Sequence, residues 1–297
     1  MTHKPLKAPF PWFGGKSRVS GLVWERFGKV SNYVEPFFGS GAVLLGRPDW
    51  RPGVRLIETV NDKDAYLCNF WRAIKHAPDE VAHHADWPVN EADLHARHKW
   101  LVEHAGSRVK LLESDPDAFC AKSAGWWWWG ISAWIGGKWC DGSLHKQKPA
   151  VGVNSQRGRK SPKTSSHQDL HQRLKSVDVL CGDWARVLTS SVIAPGSKPT
   201  AVFLDPPYDT GHGLYREGAP TAQQVGAWAV EHGDDPSLRI ALCGYEGDHD
   251  ALDAAGWDKV AWKAQGGYGS RSGNDNCTKE RIWFSPHCLT GAQGRLF

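Results

Sequence analysis

The tetrapeptide Asp205-Pro206-Pro207-Tyr208 holds the residue types needed to handle an exocyclic amine. Asp supplies an acceptor for one amine proton and the carbonyl of the first proline supplies another. The Pro-Pro turn is rigid, and Tyr offers a flat face for a base. The tetrapeptide follows a short apolar run, Thr200 to Leu204, that reads as a buried strand, and open α/β sheets place ligands at the carboxyl ends of their strands. Ordinary turns use the same residue types, which is the competing reading. A second candidate is Gly39-Ser40-Gly41, since glycines after a strand let backbone approach a cofactor closely. A dinucleotide fingerprint would need a third glycine where Leu44 stands, and the first glycine of a P-loop ending in Gly15-Lys16-Ser17 would fall at Phe10, so both motifs fail. Asp62 lies 21 residues beyond Gly41, at the end of a second strand, where a carboxylate can accept both hydroxyls of a ribose; its alternative is a structural Asp capping a helix.

These residues need elements to position them. Val30 to Pro36 and Val54 to Val60 read as strands, the first running through the glycine turn into the apolar stretch Ala42 to Leu45. Tyr66 to Lys75 has Leu67, Phe70, Trp71 and Ile74 at helical spacing. From about His167 the α/β texture resumes. Helices are expected at Leu170 to Leu174, Trp184 to Leu188, Ala222 to Val230 and Asp248 to Ala254, and strands at Val177 to Leu180, Thr200 to Leu204, Leu238 to Cys243, Trp257 to Lys263 and Arg281 to Phe284. Strands alternating with helices imply a mostly parallel sheet. The chain therefore reads as an α/β body, residues 1–75 and 169–297, interrupted by an inserted lobe at 76–168 that is mainly helical and Trp-rich.

Of the 297 residues, 40% are hydrophobic and 23% charged, with a net charge of +4, which argues against a disordered tail or a fibre. The stretch from Ser123 to Gly137 is too short and too interrupted for a membrane span, and no signal peptide is read at the N-terminus. Seven cysteines without a C-x-x-C pair suggest neither a disulfide framework nor a zinc site, so a cytoplasmic setting and no metal are expected. The charge is uneven: Lys122 to Lys175 carries ten Lys/Arg against Asp141 and Asp169, a local +8 on a body of −4. A basic island of this kind suits phosphate binding, with a solvated lysine-rich loop as the alternative. Its candidate contacts are Lys138, Lys146, Lys148, Arg157, Arg159, Lys160 and Lys163. The island also holds Trp126 to Trp129, Trp134 and Trp139; four consecutive tryptophans cannot share one face, so most are expected in a core and one or two partly exposed.

Five motifs in this order resemble the Dam-like, D12 class of DNA adenine-N6 methyltransferases, particularly phage-type members. They are Pro11-Trp12-Phe13-Gly14-Gly15-Lys16, Glu35-Pro36-Phe37-Phe38-Gly39-Ser40-Gly41, Asn61-Asp62, Cys181-Gly182-Asp183-Trp184 and Asp205-Pro206-Pro207-Tyr208. The resemblance implies a Rossmann-like methyltransferase fold, S-adenosyl-L-methionine as cofactor, and double-stranded DNA as partner, in a bacterial cell or phage-infected host. It further implies that Trp12, Gly15 and Lys16 line the cofactor, with Lys16 facing its carboxylate. Phe37, Gly39 and Gly41 would pack around the methionine part, Glu35 and Pro36 would also be cofactor-binding, and Asp62 would hold the ribose. Asp183 would accept from the cofactor's adenine and Trp184 would stack nearby. Asp205, Pro206, Pro207 and Tyr208 would place and polarise the target amine. The lobe at 76–168 matches the class in position and charge only, so the resemblance carries no target sequence. A partner nuclease is left open. N4-cytosine methylation, RNA methylation and a non-catalytic DNA-binding module are the alternatives.

Overall fold

The five residues Thr200–Leu204 (β4) are buried along their whole length, as expected of an inner strand covered on both faces. In the computed structural model, which describes residues 5–12, 14–134, 139–140, 166–194, 199–207, 218–262 and 280–290, β4 lies beside Asn32–Glu35 (β1), with Val34 opposite Val202. β1 also pairs in parallel with Ile57–Asp62 (β2), which pairs with Val177–Cys181 (β3). On the other side β4 pairs with Leu238–Tyr245 (β5). Glu280–Phe284 (β7) runs antiparallel between β5 and Asp258–Ala261 (β6), so the seven-stranded sheet has the order β3-β2-β1-β4-β5-β7-β6. The strand order reverses between β1 and β4, the place where open α/β sheets form a ligand crevice. Seven mostly parallel strands flanked by helices are consistent with the Rossmann-like fold that the resemblance implies.

The helices follow from local pattern and capping. Ser20–Phe27 (α1) buries Val23, Trp24 and Phe27; this helix is absent from the sequence reading, although Val19, Val23, Trp24 and Phe27 recur at helical spacing. Ala65–His76 (α3) starts at Asp64, whose carboxylate accepts from the Tyr66 and Leu67 amides, satisfying two first-turn donors. The insertion supplies Pro78–Ala85 (α4), Glu91–Glu103 (α5), Ala105–Ser114 (α6) and Ala121–Ala133 (α7), and the chain returns through His167–Leu174 (α8).

The Trp run lies on α7. Trp127, Trp128 and Trp129 are buried while Trp126 and Trp139 are partly exposed, as the crowding argument requires. Two of the buried indole N–H groups find backbone acceptors: Trp128 donates to the Pro9 carbonyl and Trp129 to the Trp87 carbonyl, at 3.1 and 2.8 Å. A Cβ at Gly125 would collide with His84 and the Val81 carbonyl, so this glycine sets how closely α7 and α4 approach. Phe10, Phe70, Trp71 and Trp127 share one apolar cluster with Val60 and Phe203 of the sheet. The helices of the insertion therefore pack into the same core as the body.

Candidate active site

Four strand ends converge. β1 runs through Pro36 and Phe37 into the turn Phe38–Gly41, where Gly39 and Gly41 hold φ of +48° and +66°, a region that costs residues with a Cβ about 1–2 kcal/mol. A Cβ on Gly39 would stand 2.8 Å from Nε1 of Trp12, so the indole of the N-terminal motif lies directly against the turn. Trp71 donates to the Gly39 carbonyl at 3.0 Å. At the end of β2, Asp62 accepts the Gly39 amide on Oδ2 and the Asp64 amide on Oδ1, both at 2.9 Å. The helix cap belongs to Asp64, which removes capping as the alternative role for Asp62. Asn61 donates to the carbonyls of Pro36 and Gly182 and so ties the loop after β1 to the loop after β3. There Asp183 caps a one-turn 3₁₀ helix, Trp184–Val187, by accepting from the Ala185 amide at 2.9 Å. Trp184 stacks on Phe37, with ring centres 6.3 Å apart and planes inclined by 25°.

β4 ends at Asp205. Its Oδ2 lies 2.8 Å from Lys16 Nζ, which also donates to the Gly14 carbonyl at 2.7 Å. Lys16 is 4% exposed, and its ammonium faces the Trp262 ring 5.5 Å away. The Gly15 amide donates to the Trp12 carbonyl at 3.2 Å and closes the turn that carries it.

The electrostatics are those of a buried cluster. Burial works against the charge on Lys16, but Asp205, Cys243 and Glu280 together more than offset it and hold the pKa above the ordinary lysine value. Burial pushes the Glu35 carboxyl well up; the Tyr33 hydroxyl, donating at 2.7 Å, opposes this, while the Asp205 and Asp62 charges add to it. Asp62 is raised to about 7, chiefly by burial and then by the charge of Asp64. Burial thus disfavours charge on Glu35, and Asp62 is poised to titrate near pH 7.

A cation, a set of carboxylates and aromatic faces at the switch point of such a sheet are compatible with several nucleotide-like ligands. The comparison that decides among them is the match of residues 12–108 to the D12 class N6 adenine-specific DNA methyltransferase family. The likeness to this class is carried by residues 12–108 of the 297. The protein is a DNA methyltransferase, and adenine N6 is the acceptor that defines the matched family. It is also 25% identical over 219 residues, 70% of each chain, to the Type II methyltransferase M.MjaIII of Methanocaldococcus jannaschii. The family match contains Trp12, Lys16, Glu35 to Gly41 and Asp62, and stops before Asp183 and Asp205.

In this methyltransferase Glu35 to Gly41, Asp62, Asp183 and Asp205 stand at the ends of β1, β2, β3 and β4, while Trp12 and Lys16 of the N-terminal turn reach the Gly39 turn and Asp205. Glu35 and Pro36 are buried behind the turn, so they support it from within the sheet. Lys16, expected to face a cofactor carboxylate, has Asp205 as its ion-pair partner. Pro206 is buried and Pro207 partly exposed. Tyr208 lies outside the described residues, as do Lys138, Lys146, Lys148, Arg157, Arg159, Lys160 and Lys163. The ten basic residues of the island include Arg173, which is fully buried against Glu58 and adds nothing to a basic surface. Three contributors escape the sequence reading: Trp71 at the glycine turn, and Trp262 and Glu280 beside Lys16. Helical spacing marks Trp71 as core, whereas nothing local marks Trp262 or Glu280. Among the described residues no helix is long and apolar enough to cross a membrane, and no group of three or more His, Cys, Asp or Glu is placed to hold a metal ion.

Proposed function

We propose that this methyltransferase takes its methyl group from S-adenosylmethionine and delivers it to the N6 amine of an adenine swung out of duplex DNA. The donor set of the site suits that cofactor. Asp62 uses each carboxylate oxygen for one backbone amide, which leaves lone pairs for a ribose diol. Phe37 and Trp184 present partly exposed rings beside the Asp183 carboxylate, matching an adenine and its amino group. Lys16 offers a cation for a carboxylate. When bound, the cofactor supplies a methyl group carried on a sulfonium.

The chain's own residues do the rest. An adenine inside a duplex is out of reach, and extruding it costs a few kcal/mol. Tyr208 stacks on the extruded base. Asp205 accepts one N–H of the amine and the Pro206 carbonyl accepts the other, aiming the nitrogen lone pair away from the ring. Lys16, paired with Asp205 at 2.8 Å, fixes the orientation of that carboxylate. Placing and polarising the amine are the main contributions, and removing one such partner typically costs about 3–4 kcal/mol.

The observation that carries this reading is the convergence of Gly39, Asp62, Asp183 and Asp205 on the β1/β4 switch point, with Lys16 joined to Asp205. Transfer of labelled methyl from S-adenosylmethionine to unmethylated duplex DNA, followed by nucleoside analysis, tests it, with N6-methyladenine expected. Asp205→Asn is the informative variant, because Asp205→Ala would strand the buried ammonium of Lys16. It is expected to lower single-turnover transfer by about 100- to 1,000-fold while cofactor affinity changes little. Transfer at the unaltered rate contradicts the role given to Asp205.

A further inference from the structure

Two cations on the insertion face aromatic rings instead of carboxylates. Lys122 Nζ stands 4.5 Å from the ring centre of Trp126 and 4.9 Å from that of Trp100. Arg108 lies 5.9 Å from the ring centre of Trp100 and 5.5 Å from that of Tyr66. Neither makes an ion pair among the described residues, and Nη1 of Arg108 is buried without a hydrogen-bond partner. Their acidic neighbour Glu103 is engaged with Lys99 at 3.8 Å. Trp100 is stacked by the exposed His104, with ring centres 4.3 Å apart and planes inclined by 21°. Positive charge without a carboxylate partner beside a Trp–His stack is what a nucleic-acid strand meets, phosphates at the cations and sugar or base at the rings.

The position of this patch gives it a role. Tyr66 is in the first turn of α3, just beyond Asp62 and Asp64, and its hydroxyl donates to the Leu101 carbonyl of α5 at 2.7 Å. The patch is thereby joined, through Tyr66, to the end of β2 that carries the candidate ribose acceptor. Aromatic partners leave the charge available, whereas carboxylates would have neutralised it.

We propose that Lys122 and Arg108, both against the ring of the Trp100–His104 stack, contact two phosphates of the DNA strand beside the target base. This inference rests on the DNA-methylating reading above. The test is equilibrium binding of a fluorescent duplex oligonucleotide to the full chain between 50 and 200 mM salt, a range over which counterion release is large. The expected result for Lys122→Gln/Arg108→Gln is a slope of log K against log salt that is shallower by about 2, close to one for each phosphate no longer neutralised. Should the double variant unfold, as judged by circular dichroism, Lys122→Gln alone carries the test, since this exposed side chain is expected to account for about 1 unit of slope. Unaltered slopes in a wild-type protein that does methylate DNA overturn the patch and leave the enzymatic reading standing. A wild-type chain that transfers no methyl and binds no duplex overturns both.

Discussion

Asp62 titrates near neutrality, and in its proposed role as ribose acceptor this sets the pH range in which it can hold a ligand. Its pKa lies at about 7, raised from 3.8 first by burial and then by the charge of Asp64. The native state thus holds a proton that the unfolded chain has already released. This group favours the folded state below its ordinary pKa, and that advantage is lost as pH rises through about 7. A ligand diol that donates to the carboxylate has the opposite preference, because it binds the ionised form. Cofactor affinity is expected to climb between pH 5.5 and 7, by up to about tenfold per pH unit, and to level off above. Calorimetric titration across that range measures it, and Asp62→Asn should bind weakly with a flat profile; a mutant that keeps the wild-type slope would show that another group titrates. Asp62 and the Asp205 tetrapeptide were legible from residue type and position after a strand. The partner of Lys16 was not, because an ion pair between the N-terminal turn and the end of β4 exists only once the sheet has brought them together.

Elements are joined across the insertion by a few polar side chains. On α3, Asn69 exchanges two hydrogen bonds with the backbone of Cys120, and Arg72 donates to the carbonyls of Val179, Leu112 and Asp115. These bonds fix the start of α7 and the end of α6 against β3. At the return point Arg173 of α8 meets Glu58 of β2 at 2.5 and 2.8 Å and donates to the Leu44 carbonyl, while Arg47 reaches Glu58 at 3.1 Å. All three charged side chains are buried. Removing one partner of a buried pair leaves a charge uncompensated, at a cost of about 3–5 kcal/mol. Arg173→Met is accordingly expected to lower the free energy of unfolding in urea by about 3 kcal/mol, and a loss below about 1 kcal/mol would mean that Arg47 alone satisfies Glu58. The helical character of the insertion was legible in the spacing of Leu94, Trp100 and Leu101. Its anchoring was not, since Asn69, Arg72 and Arg173 look in sequence like solvent-facing residues of amphipathic helices.

At the scale of the whole molecule, alternation of strands and helices was enough to give a parallel α/β sheet, and the apolar run Thr200 to Leu204 coincides with β4. Strand order was beyond such reasoning, because nothing local says that β4 returns beside β1. That placement has a consequence for synthesis. β1 is a central strand whose second neighbour, β4, is separated from β2 by the insertion and β3. As the chain leaves the ribosome, β1 and β2 emerge while one hydrogen-bonding edge of β1 waits for a segment about 140 residues further on, some 7–30 s at ordinary elongation rates. For that interval Tyr33 and Val34, both wholly buried in the finished sheet, border an unpaired edge. The Trp-rich helices made in the meantime dock on α3, against one face of the nascent sheet, and leave this edge uncovered. The newborn chain thus passes through a stage in which it is vulnerable to chaperone capture and to pairing with its own copies, ended by the arrival of the strand that bears Asp205.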